Sequence, residues 1–102
     1  MEKIDIKDFA KLIESAEDAV PVIDVRPADL YNEGHVPGAL HIPLSEIEDN
    51  LDKLDKDLHY YTVCHDGKGA EKSAEILDEN GFKVTRVIQG MPEYPGDTEK
   101  SQ

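Results

Sequence analysis

The sequence predicts an α/β protein of one domain, with a mainly parallel sheet and helices on both faces. Three observations carry that reading. Runs of β-branched and aromatic residues alternate along the chain with runs of helical periodicity. Val20-Pro21-Val22-Ile23-Asp24-Val25 is apolar without strict alternation, as a strand buried on both faces of a parallel sheet would be. Tyr60 to Val63 reads as a strand that passes through a short glycine loop straight into an amphipathic helix. The 102 residues can build one core but not two.

Residues 2–20 read as a strand and then a helix. Asp5 is a candidate cap, and Phe9, Leu12, Ile13 and Ala16 mark one helical face. Arg26-Pro27 ends the next strand, and 28–33 suit one or two helical turns, stopped at Gly34. Glycines and prolines from Gly34 to Pro43 give a tight turn and a short extended piece, Leu40 to Ile42. Ser45 with Glu48 fits a capping box, which predicts a helix from about Glu46 to Leu54 with Ile47, Leu51 and Leu54 inward. After the central strand and loop, Ala70, Ser73, Ala74 and Leu77 fall on one helical face. Asn80-Gly81 supplies a left-handed stop. Lys83 to Ile88 reads as a strand near a sheet edge, and 89–94 as a turn and docking segment. Residues 95–102 are polar and expected to fray.

Composition narrows the function. Lys and Arg number 11 and Asp and Glu 23, a net charge of −12 that repels nucleic acid and anionic membranes. No apolar run approaches the roughly 20 residues that span a bilayer, and the N-terminus lacks the apolar core of a signal peptide. One cysteine excludes an internal disulfide. A cytoplasmic monomer is the expectation. His35, His41 and His59 are too scattered in sequence to suggest a metal site.

Chemistry concentrates in Cys64-His65-Asp66-Gly67-Lys68-Gly69. A thiol at the carboxyl end of a strand, facing a helix N-terminus, meets backbone N–H groups that have no helical partner. Gly67 and Gly69 let the backbone curl so that such groups converge, which stabilises negative charge on sulfur. The same residues also fit a buried, inert cysteine. Asp24 and Arg26 sit at the carboxyl end of a second strand, where sites of open α/β sheets lie.

Together these stretches resemble the rhodanese family. Asp24-Val25-Arg26, then Tyr31 to Ala39 and Ile42-Pro43, are similar to its first signature. Cys64 with Gly67 three residues on looks like its active loop, and Gly90 with Tyr94 looks like its closing segment. The resemblance covers essentially the whole chain. It implies one rhodanese-like domain of about five parallel strands, with no metal or organic cofactor. It also implies a Cys64 that carries a persulfide from a small-molecule or protein-bound sulfur donor to a thiol acceptor. His65, Asp66, Gly67, Lys68 and Gly69 would then bind substrate. Asp24 and Arg26 would act as structural support, Arg26 bracing the Gly34-His35 turn and Asp24 fixing the loop backbone.

This chain departs from the family pattern at several positions. Gly69 stands where arginine is common, Ala70 where a hydroxyl is common, and Tyr94 where tryptophan is common. Leu30 replaces a frequent glutamate, which leaves Asp29 or Glu33 as the expected partner of Arg26. Lys68 is the loop's only cation, opposed by Asp66. Weak use of thiosulfate is the expectation. Two other readings remain at this point. One is a regulatory binding module without catalysis. The other is a phosphatase or arsenate reductase of similar architecture, which would need an arginine where Ala70 stands.

Overall fold

The structure, a computed structural model, describes residues 1–100. Its five strands are β1 (Glu2–Asp5), β2 (Val22–Asp24), β3 (Leu40–His41), β4 (His59–Val63) and β5 (Lys83–Ile88). They form one sheet in the order β1-β5-β4-β2-β3, and every neighbouring pair is parallel. The expected α/β class and strand number are thus present. β5 lies one place in from the edge, which β1 occupies.

Pleating divides the apolar residues between two layers. Ile23 and Val25 of the β2 region, Tyr60, Cys64 and Val84 face one layer, closed by Ala70, Ala74 and Leu77 of α3 (Lys68–Glu79). Val22, Val63 and Val87 face the other, closed by Ile6 and Phe9 of α1 (Ile6–Ser15) together with Val36 and Met91. Phe9 is fully buried, its ring 5.9 Å from that of Tyr61 and 6.1 Å from that of Tyr94. Burial, with Asp97 adding to it, pushes the Tyr94 phenol above its ordinary value. The Asp5 carboxylate caps α1 by accepting the Lys7 N–H at 2.7 Å, as its sequence position predicts.

Two sequence expectations are corrected. The helix expected over 46–54 is instead a pair of 3₁₀ segments, Leu44–Glu46 and Glu48–Lys53. Ser45 does not cap it, because the turn already starts at Pro43, whose carbonyl accepts the Glu46 N–H at 2.8 Å. Asp49, Asn50 and Asp52 are poor helix formers. The tighter winding brings residues three apart onto one side, so Leu44 and Ile47, then Leu51 and Leu54, turn to the core as pairs. The second correction concerns the tail. Glu99 exchanges two backbone hydrogen bonds with His35, each 2.9 Å, so the exposed polar tail is anchored at Glu99. The Glu99 carboxylate also accepts the Gly38 N–H at 3.1 Å and lies 3.3 Å from His35 Nε2. Polar composition concealed this because the pairing is made by backbone. Ser101 and Gln102 lie outside the described residues.

α2 (Ala28–Glu33) ends at Gly34 as expected. Its Tyr31 ring is stacked between His35 at 3.8 Å and His41 at 4.2 Å. These histidines, distant in sequence, therefore meet, but their ring nitrogens face the Tyr31 carbonyl, Glu99 and the Arg26 carbonyl. Among the described residues no cluster of His, Cys, Asp and Glu could hold a metal ion. None of the described helices is long and apolar enough to cross a membrane.

Candidate active site

Cys64 follows the last residue of β4 and lies under the first turn of α3, buried at 4% exposure. The strand delivers its side chain to the α3 face, as for Thr62 and Tyr60 two and four residues before. Thr62 fixes the helix start from below, its buried hydroxyl donating to the Ala70 carbonyl at 2.9 Å. The Ser73 hydroxyl donates to the same carbonyl at 3.1 Å. The helix N-terminus is thereby registered against the strand end that carries the thiol.

The loop is drawn around the sulfur. Gly67 has φ +91°, a left-handed conformation that side chains disfavour, and in it the Gly67 N–H reaches the Cys64 sulfur at 2.8 Å. Gly69 lies alongside: a Cβ there would sit 3.3 Å from the Cys64 Cβ and 3.6 Å from its sulfur. Its φ is not in the left-handed region, so a side chain at 69 is excluded by no backbone strain. His65, Asp66 and Lys68 are exposed. The Asp66 carboxylate accepts the Lys68 N–H at 3.0 Å and lies 3.8 Å from the Cys64 sulfur. The Lys68 N–H, reinforced by the Lys68 charge and the Cys64 thiol, holds the Asp66 carboxyl below the usual range, burial acting the other way. Asp66 is therefore ionised at neutral pH. All five loop residues singled out in the sequence gather at Cys64, but not equally. Gly67 offers its N–H to sulfur, whereas the Lys68 N–H is taken by Asp66.

Among the described residues, neither Asp24 nor Arg26 makes a side-chain hydrogen bond or ion pair with the loop. Arg26 binds Asp24 through its backbone N–H at 3.1 Å and its guanidinium at 2.8 Å, and it donates to the Gly34 carbonyl at 2.8 Å. The bracing of the Gly34-His35 turn is thus as expected. The partner of Arg26 is Asp24, not Asp29 or Glu33, because residues two apart on a strand project to the same side. Asp24 consequently fixes Arg26 rather than the loop backbone. The intervening Val25 is the residue that approaches the loop, 3.5 Å from where a Cβ of Gly69 would stand.

Sequence reasoning missed Gln89 and Met91. The Met91 N–H donates to the Cys64 carbonyl at 2.9 Å, and the Gln89 backbone packs beneath Gly67. Gln89 is a non-glycine residue at φ +61°. Its side chain ties that turn to α1, accepting the Ile6 N–H and donating to Asp5, each at 3.1 Å. A left-handed glutamine carries no local sequence signal. A groove of about 660 Å³ lies elsewhere, lined by Ile13, Glu17, Val20, Pro37, Tyr94 and Asp97 among others.

Residues 5–96 match the family model described as Rhodanese-like domain. The chain is 36% identical over 83 residues to the "Putative sulfurtransferase YtwF" of Bacillus subtilis, covering 81% of each. It is 35% identical over 98 residues to the "Putative sulfur carrier protein YrkF" of the same organism. That match covers 95% of this chain but only 52% of YrkF, so the chain spans about half of that relative's length. It is 33% identical over 71 residues to "Thiosulfate sulfurtransferase GlpE" of Coxiella burnetii, covering 70% of this chain and 66% of that one. Among solved structures, a rhodanese-like domain protein from Staphylococcus aureus superposes with a TM-score of 0.90 at 31% identity, each chain fully covered. On its sequence, its parallel sheet and the loop that surrounds Cys64, this chain belongs to the rhodanese-like domain family.

Proposed function

We propose that the protein is a sulfurtransferase or persulfide carrier working through Cys64. The observation that carries the reading is the Gly67 N–H aimed at the Cys64 sulfur from the start of α3. The family's relatives with sulfur-transfer names support it. In the first step the Cys64 thiolate attacks the sulfane sulfur of a donor. With thiosulfate, the new S–S bond forms as the donor's S–S bond breaks, and sulfite leaves with the electron pair. The product Cys64–S–S⁻ is held by the Gly67 N–H and the positive end of α3. In the second step an acceptor thiolate attacks the outer sulfur, and Cys64 leaves as thiolate. His65 and Lys68, both exposed, would meet donor and acceptor.

Intact mass after incubation with thiosulfate, and separately with an alkyl persulfide, tests the reading. A gain of one sulfur atom is expected, lost in Cys64→Ser. No gain with either donor would leave the regulatory binding module as the better account. The phosphatase reading has no support at position 70, where Ala70 is fully buried and no arginine closes the loop.

Position 69 supplies a second test. An arginine there could make two charge-assisted hydrogen bonds to a sulfonate-like group, which glycine cannot. A hydrogen bond to a charged group contributes about 1.5–3 kcal/mol. Gly69→Arg is therefore expected to improve the thiosulfate reaction roughly tenfold, mostly through KM, with a gain that shrinks as salt rises. The Cβ contact of 3.3 Å with Cys64 asks for a shift of a few tenths of an ångström. A folded variant with unchanged thiosulfate kinetics would count against the charge deficit of this loop.

A further inference from the structure

We infer that Asp66 is a specificity-determining residue that disfavours dianionic sulfur donors and leaves the site to donors carrying little charge beside the sulfane sulfur, such as alkyl persulfides. The inference rests on the proposed sulfur transfer at Cys64 and says which donors that site takes. Its carboxylate lies 3.8 Å from the nucleophilic sulfur, so any donor sulfur that approaches Cys64 also approaches this charge. Its placement is not left to chance: the Lys68 N–H holds Asp66 Oδ1 at 3.0 Å. The same bond occupies an N–H of the first turn of α3 that would otherwise be offered to an incoming anion. Asp66 thus both repels a sulfonate and fills part of its binding site. Only Lys68 opposes it within the loop, and the whole chain carries −12.

Donor chemistry decides how much this matters. Thiosulfate brings two negative charges, and sulfite must leave with both. An alkyl persulfide in its R–S–SH form brings none. Cys64–S⁻ attacks its outer sulfur, the S–S bond of the donor breaks, and R–S⁻ leaves with the electron pair and Cys64–S–SH remains. Charge and atoms balance, and no negative charge is added beside Asp66 until the leaving thiolate departs.

The experiment compares single-turnover loading of Cys64 by thiosulfate and by an alkyl persulfide with an uncharged R group, at one fixed pH, in the full chain. Asp66→Asn keeps an oxygen for the Lys68 N–H and removes the charge. Glu79→Gln makes the same change in net charge at the far end of α3, about 15 Å away along the helix and beyond the Debye length at 0.1 M salt. Removing Asp66's charge also alters the surroundings of the thiol, which affects both donors, so the readout is the ratio of the two rate constants. In Asp66→Asn the thiosulfate-to-persulfide ratio is expected to rise about fivefold to tenfold, and less at high salt. In Glu79→Gln it is expected to stay at the wild-type value. An unchanged ratio in Asp66→Asn, or an equal rise in Glu79→Gln, overturns the inference while the sulfur-transfer reading stands. Failure of both donors to load wild-type Cys64 overturns both.

Discussion

Arg26→Met is expected to lower the melting temperature by tens of degrees, or to prevent folding, although the Arg26 side chain makes its hydrogen bonds to Asp24 and Gly34 and not to the active loop. Asp24 is fully buried and Arg26 is 6% exposed. Both oxygens of the Asp24 carboxylate accept from Arg26, which contributes its backbone N–H, Nε and Nη2 at 2.8–3.2 Å. Methionine would keep much of the volume but leave a carboxylate buried with its guanidinium partner gone. Breaking a buried pair from one side costs about 3–5 kcal/mol. That is a large part of the roughly 5–15 kcal/mol that holds a domain together. A domain of this size loses about 4–8 °C for each kcal/mol. The Gly34 carbonyl would lose its donor as well. The double variant Asp24→Leu/Arg26→Met removes both charges and is expected to recover most of the loss, because an apolar pair of similar volume often matches a buried ion pair. Thermal denaturation of the two variants decides the matter. A fall of only a few degrees in the single variant, or no recovery in the double, would mean that the pair is not what holds this strand end.

That pair illustrates what could be read from sequence. Asp24 and Arg26 were legible as support, and the side they share follows from strand geometry. Their mutual pairing was hidden by the family expectation of a partner in the following helix. The α3 face was legible residue by residue: Ala70, Ser73, Ala74 and Leu77 are the four buried residues of that helix. Periodicity works there because one face packs on one sheet. It failed at 46–54, where pairs three apart suit a 3₁₀ turn as well as an α-helix and the aspartates tip the balance. Cys64 and Gly67 could be placed because strand, loop and helix are contiguous. Gln89 and Met91 could not, since their contacts with the loop span more than twenty residues and are made by backbone atoms.

Gly90 shows the consequence of those backbone contacts, and Gly90→Ala is expected to cut sulfur transfer about a hundredfold per folded molecule. Gly90 is buried behind the active loop. A Cβ on it would stand 1.6 Å from the His65 carbonyl oxygen, 2.2 Å from the His65 carbonyl carbon and 2.7 Å from the Asp66 nitrogen. All three atoms belong to backbone, so no side chain can swing away to make room. Either the His65–Asp66 peptide moves outward or the segment from Gln89 to Met91 retreats. The first displaces the loop that carries the Gly67 N–H and the Asp66 carboxylate. The second stretches the Met91 N–H bond to the Cys64 carbonyl and the Gln89 contacts beneath Gly67. Each moves groups around the sulfur by about an ångström, and a displacement of that size can cost about a hundredfold in rate. Overpacking itself costs about 1–3 kcal/mol, so the domain is expected to remain folded. Cys64 loading by thiosulfate and by an alkyl persulfide, measured beside the melting temperature, separates the two effects. The inference about Asp66 concerns the ratio of donors, whereas a disturbed loop is expected to slow both. Wild-type loading rates in Gly90→Ala would mean that the closing segment only fills space behind Cys64 and does not hold the loop in place.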